Sequence, residues 1–208
     1  MPRPDVVIPV WNAETTIERI VNVLQQSMVG NIFVSVDNQA SLKTREIVWG
    51  LVTYGHDHGN PVVMVPAGCH GKGQVVKAGL YYVTTPRVLF IDADLEGLTV
   101  EHVNKLARDY PGQVIGVPVL PANYPTDPNA RRSWPWVSGQ RCVPKMLVKR
   151  MPLHGYLMET QINTAVHNQH LTTRFEMLDG LYSPYNMSGQ RIADRERDRK
   201  WGQENGVL

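Results

Sequence analysis

The chain has little cysteine, little phenylalanine and no strong excess of charge of either sign. Its two cysteines, Cys69 and Cys142, lie far apart and form no C-x-x-C pair, so neither a disulfide framework nor a zinc ribbon is indicated and a reduced, cytoplasmic setting is expected. The 21 basic and 19 acidic side chains leave a formal charge of +2, too small to announce a nucleic-acid or anionic-membrane partner. Apolar runs never reach the roughly 18 residues a spanning helix needs, so no transmembrane segment is expected, while peripheral contact with a membrane stays open. Residues 1–5 carry no apolar stretch of the signal-peptide kind, so export is not expected. No internal repeat is present. What remains is an ordinary globular composition, 42% apolar in 208 residues, which one hydrophobic core can organise as one domain.

Periodicity supplies the architecture. Residues 6–10 are apolar apart from Pro9, as in a strand buried on both faces. Asn12 is placed to cap the helix that follows, where Ile17, Ile20, Val21 and Leu24 recur at i, i+3, i+4 and i+7. Further strands are expected at 32–36, 62–65 and 88–91, with helices near 42–51 and 75–82 between them. This β-α-β-α-β-α-β order predicts an α/β domain with a mainly parallel twisted sheet and helices on both faces, whose ligands gather at the carboxyl ends of the strands. A helix at 100–107 and a strand at 114–119 extend it. Proline-rich sequence over 118–135 then breaks all periodicity and reads as a substrate loop leading into Arg131 and Arg132. The charged stretch 190–204 has almost no apolar stripe and reads as a solvated helix or tail.

The fourth strand ends Phe90-Ile91-Asp92-Ala93-Asp94. Two carboxylates so close repel each other unless a cation or donors hold them, and hard oxygen ligands suit Mg²⁺ or Mn²⁺ on a diphosphate. Gly71-Lys72-Gly73 precedes a helix whose first amides can face an anion, with the lysine adding charge. It is no P-loop, because Pro66 stands where the first glycine belongs and Gly73 where the hydroxyl belongs. Nor is it a dinucleotide fingerprint, because Val76 takes the third glycine's place. Asp37, closing the second strand, either accepts hydrogen bonds from a base or ribose or caps the next turn. The seven histidines show no metal-ligand spacing, and His154, His167 and His170 read as surface or packed residues.

Taken together these segments resemble the family-2 inverting glycosyltransferases of GT-A fold, in particular the dolichol- and polyprenyl-phosphate sugar transferase branch. The resemblance covers about residues 5–180. Val6-Val7-Ile8-Pro9-Val10-Trp11-Asn12-Ala13-Glu14 is similar to the family's opening strand and turn, and Val34-Ser35-Val36-Asp37-Asn38 to its second strand, with Asn38 where a second aspartate is usual. Gly71-Lys72-Gly73 with Ala78-Gly79-Leu80, and Phe90 through Leu95, are the most specific matches. Val137-Ser138-Gly139-Gln140-Arg141 resembles the segment beneath the acceptor, and Gly155-Tyr156-Leu157-Met158-Glu159 a glycine-tyrosine helix start.

The resemblance implies that Pro9, Trp11, Glu14, Asp37, Lys72 and Asp92 surround the nucleotide sugar, while Asp94 with Asp92 holds Mn²⁺ or Mg²⁺. It further implies that Arg131, Arg132, Ser138 and Arg141 meet donor or acceptor phosphates and that Glu159, with Asp94, is catalytic. A GT-A domain is thus expected over 1–190, its nucleotide-sugar half at about 1–98 and its acceptor half at about 99–190, with a charged tail at 191–208. The expected partners are a UDP- or GDP-type sugar and an acceptor, first a polyprenyl phosphate, otherwise a hydroxyl of a protein, small molecule or modified nucleobase in DNA. A homo-oligomer is compatible with the sequence. Two rivals stand: sugar-nucleotide synthesis, for which Trp11-Asn12-Ala13-Glu14 lacks the glycine-rich, arginine-bearing loop, and a non-catalytic nucleotide-sugar-binding protein, against which Asp92 and Asp94 speak.

Overall fold

Short apolar runs become strands here because they are wanted on both faces of one sheet. The computed structural model describes residues 2–54, 59–119, 138–153, 158–182 and residue 200. β1 (Asp5–Val10) and β2 (Ile32–Val36) are buried along nearly their whole length, as central strands with helices on either side must be. α1 (Ile17–Gln25) lies between them and buries Ile17, Ile20, Val21 and Leu24, the stripe its spacing dictates. Truncating one of these, such as Ile20, would cost about 2–5 kcal/mol by leaving a cavity the sheet cannot refill. The expected cap does not form. α1 starts after Thr16, while Asn12 turns its Oδ1 to the Ser41 N–H at 3.1 Å.

α2 (Leu42–Tyr54), β3 (Val62–Pro66), α3 (Lys72–Tyr82), β4 (Arg87–Phe90), α4 (Val100–Ala107) and β5 (Gln113–Val119) follow in the expected alternation. Thr99 caps α4, its Oγ1 accepting from the His102 N–H at 3.2 Å. Beyond them come β6 (Arg141–Pro144), α5 (Lys145–Lys149), α6 (Met158–Asn168) and β7 (Thr173–Asp179), for which the hydrophobic pattern gave no expectation. The loop at 120–135 with Arg131 and Arg132, the glycine-tyrosine segment at 155–157 and the tail at 191–208, Lys200 apart, lie outside the described residues.

Among the described residues seven strands form one sheet in the order β3-β2-β1-β4-β6-β5-β7. β1 pairs in parallel with β2 and β4, β2 with β3, and β5 with β7. Only β6 runs against its neighbours, set between β4 and β5 with Phe90 opposite Arg141. Two cores flank the sheet. One gathers α1, α2 and α4 through Ile20, Val48 and Leu106; the other gathers α3, α5 and α6 through Val76, Leu147 and Ile162. The reversal of β6 matters for function, since it brings that strand's amino end, with Ser138, Gly139 and Gln140 before it, to the edge where β1, β2 and β4 end.

Candidate active site

At the end of β2 the backbone stays extended for one residue, the Asp37 N–H donating to the Val10 carbonyl at 2.8 Å. The Asp37 carboxylate is only 3% exposed. Its Oδ1 accepts from the Gln39 N–H at 2.8 Å and its Oδ2 from the Gly71 N–H at 3.0 Å, while His70 Nδ1 lies 3.0 Å from both oxygens. The loop that brings His70 there needs glycine, since Gly68 and Gly71 take φ of 64° and 97°, a region costly for any residue with a Cβ. It is pinned by the Asn38 N–H on the Cys69 carbonyl at 3.1 Å. Trp11, leaving β1 and 46% exposed, donates Nε1–H to the Gln39 carbonyl at 3.3 Å and meets the His70 ring edge-on, 5.7 Å between centroids. Pro9 sits beside Ser35 in the β1–β2 ladder. Glu14 accepts from the Ser41 hydroxyl, a bond that lowers its pKa.

A second cluster lies two strands away. Lys72, on the first turn of α3, places Nζ 2.7 Å from Asp92 Oδ1 and 2.6 Å from Glu159 Oε1, the latter on α6. Burial opposes the ammonium, yet the two carboxylates outweigh it and raise the lysine pKa above its ordinary value. Asp92 is the counterpart: burial pushes its pKa up, Lys72 and the Gln140 amide pull it down further, and it ends below the usual range. Gln140 Nε2–H donates to Asp92 Oδ2 at 2.8 Å. Gly139 is the close approach that permits this, since a Cβ there would lie 2.1 Å from Asp92 Oδ2. Arg141 behind is fully buried. Its Nε–H donates to the Ser138 carbonyl at 3.0 Å and Nη1–H to Asn163 Oδ1 at 2.9 Å, and burial pushes its pKa down to about 10.

The segment after Asp92 is fastened to α1. Thr16 Oγ1–H donates to the Ala93 carbonyl at 2.6 Å and Arg19 reaches the Leu95 carbonyl at 3.2 Å. Asp94 is half-buried on this segment. Among the described residues no three His, Cys, Asp or Glu side chains converge as a metal cage. Hard divalent ions on a diphosphate need none, because phosphates and water fill most positions and one or two carboxylates suffice. Asp92 and Asp94, one residue apart at this edge, are of that donor type, and Asp92 also meets Lys72 and Gln140.

The structure therefore brings Lys72, Asp92 and Glu159 into one cluster and Trp11 and Asp37 into another. It turns two expected phosphate contacts inward. Arg141 has no surface to offer an anion, and the buried Ser138 spends its hydroxyl on the Gly116 carbonyl at 2.5 Å. Arg131 and Arg132 lie outside the described residues. Sequence reasoning passed over His70, Gln140 and Asn163. For His70 a signal existed, its place beside Gly71-Lys72 in a loop between two positive-φ glycines; for Gln140 and Asn163 nothing local pointed to a partner.

A mainly parallel sheet whose carboxyl edge gathers carboxylates and a lysine defines a GT-A-type α/β domain. The chain belongs to glycosyl transferase family 2, whose model matches residues 5–172, and is a glycosyltransferase. Among curated proteins none matches the sequence. Solved structures of glucosyl-3-phosphoglycerate synthase from Mycobacterium tuberculosis share the fold. One, with Mn²⁺, uridine diphosphate and phosphoglyceric acid, is 18% identical at a TM-score of 0.72, over 99% of this chain and 80% of that one. Another, with Mg²⁺ and uridine diphosphate, is 20% identical at 0.68, over 94% and 76%.

Proposed function

We propose that this glycosyltransferase moves a sugar from a nucleoside-diphosphate sugar, of UDP or GDP type, to a hydroxyl of a small phosphate-bearing acceptor, with Mn²⁺ or Mg²⁺ at the diphosphate. The observation that carries the reading is the Lys72 ammonium held between Asp92 and Glu159 at the carboxyl edge of the sheet. The similar enzyme's complexes with uridine diphosphate, Mn²⁺ and phosphoglyceric acid support the donor and favour this acceptor over polyprenyl phosphate. No helix among the described residues is long and apolar enough to cross a membrane.

In this reading residues 1–98 bind the nucleotide sugar and 99–190 shape the acceptor side. The acceptor oxygen attacks the anomeric carbon as the bond to the diphosphate breaks. Lys72, kept protonated by its two carboxylates, contributes charge to the departing diphosphate rather than a proton. Asp94 and Asp92 would hold the metal, which when bound would supply Lewis-acid stabilisation of that leaving group. Glu159 takes the acceptor's proton, on the condition that its pair with Lys72 loosens first. Arg131 and Arg132 meet the acceptor phosphate. Thermal-shift and calorimetric screens of UDP- and GDP-sugars with Mn²⁺, followed by nucleoside diphosphate release with phosphoglyceric acid or polyprenyl phosphate added, test each part. Tight donor binding with no release on any acceptor would favour a binding protein instead.

A further inference from the structure

We infer that His70, not Asp37, reads the nucleobase, accepting a hydrogen bond from a ring N–H of the base through Nε2. The inference deepens the proposed function and rests on it.

The argument starts from Asp37, whose place at the end of β2 suits a base contact but whose carboxylate is spent. It is 3% exposed, and two backbone N–H groups and an imidazole cover both of its oxygens. A base has no oxygen of Asp37 left to approach. The same contacts determine what His70 offers. A carboxylate only accepts, so the hydrogen of the neutral ring sits on Nδ1, facing Asp37. Nε2, diverging from Nδ1 across the ring, then carries a lone pair, and the carboxylate behind the ring makes that lone pair a better acceptor. The His70 side chain is 47% exposed, beside the equally exposed Trp11, so a ligand at this rim can reach the ring. Two positive-φ glycines and the Asn38–Cys69 backbone bond hold the loop, so little rearrangement is needed to present it.

An acceptor fixed in this way selects by chemistry. Uracil and guanine carry a hydrogen on the ring nitrogen between their substituents, N3 and N1 respectively. Cytosine and adenine carry a lone pair at the corresponding atom, and two acceptors facing each other leave both unsatisfied. A single hydrogen bond that the wrong ligand cannot make is worth about tenfold in affinity. His70 therefore acts as a specificity-determining residue for bases with a ring N–H.

The test is calorimetric binding of UDP, CDP, GDP and ADP, with Mn²⁺, to the wild-type chain and to His70→Ala and His70→Asn. Asparagine can keep a donor on Asp37 in place of Nδ1 while lacking anything at Nε2, so it separates loss of the loop from loss of reading. The expected result is a wild-type preference of about tenfold for UDP over CDP or for GDP over ADP, reduced to about twofold or less in both variants at unchanged melting temperature. Retention of the preference in His70→Asn, or a wild type that prefers neither UDP over CDP nor GDP over ADP, would overturn the inference and leave the nucleotide-sugar reading standing. A wild type that binds none of the four overturns that reading and the inference with it.

Discussion

Asp37 and Asp92 leave the same sheet edge two strands apart, yet they are held in opposite ways. Asp37 is gripped by two backbone N–H groups and one exposed imidazole. Asp92 is gripped by side chains, the Lys72 ammonium and the Gln140 amide, with the buried Glu159 and Arg141 completing a partly buried set of alternating charge. The first arrangement tolerates the loss of a side chain, because backbone donors remain. The second does not, because removing one charge strands another in a poorly solvated place. One residue type is thus held in two ways, by backbone at the rim and by side-chain charge in the interior.

Breaking the charged cluster should have the largest effect. Lys72→Met keeps the stem and deletes the ammonium, leaving Asp92 and Glu159 uncompensated, so stability should fall by about 3–5 kcal/mol in urea unfolding and turnover by about a hundredfold or more. An unchanged urea midpoint would show the two carboxylates to be well solvated. Asp94→Asn should come next, losing about a hundredfold in nucleoside diphosphate release at an unchanged melting curve, with chelation of the wild type reproducing the defect. Gly139→Ala should be smaller, about 1–3 kcal/mol of stability, since its Cβ displaces the Asp92 carboxylate. On the rim, Trp11→Ala removes a half-exposed indole beside His70 and should weaken UDP and CDP alike by about tenfold in calorimetry, since an aromatic face accepts any base.

The gentlest probe is pH. The folded pKa of Asp92 lies below its ordinary 3.8, so its contribution is present above about pH 4 and is lost as pH falls through the folded value. Lys72 has the opposite sign: its folded pKa is raised, and its contribution is present below about pH 10 and lost as pH rises through the folded value. Asp92→Asn should therefore flatten the acid limb of a stability-versus-pH curve, and Trp11→Ala should not. Parallel acid limbs for wild type and Asp92→Asn would place the coupling elsewhere.

Much of this was written locally in the chain. The alternation up to β5, the stripe of α1 and the positions of Asp37, Lys72 and Asp92 at strand or helix ends all follow from periodicity and turn residues within a few positions of each other. The second half resisted such reading. Arg141-Cys142-Val143-Pro144 is too short to show a period, and nothing near Ser138 tells that its strand reverses between β4 and β5. Nor does an arginine beside a serine and glycine reveal whether it faces a phosphate or, as here, the Ser138 carbonyl and Asn163.

The chain alone therefore determined which elements form and which carboxylates reach the ligand edge, because short-range sterics and the burial of alternate faces decide those. The tertiary structure decided who holds them. His70 meets Asp37 across 33 positions, Gln140 meets Asp92 across 48 and Lys72 meets Glu159 across 87. Contacts of that span depend on how strands are ordered in the sheet, and that order is set by packing two cores at once rather than by any local preference.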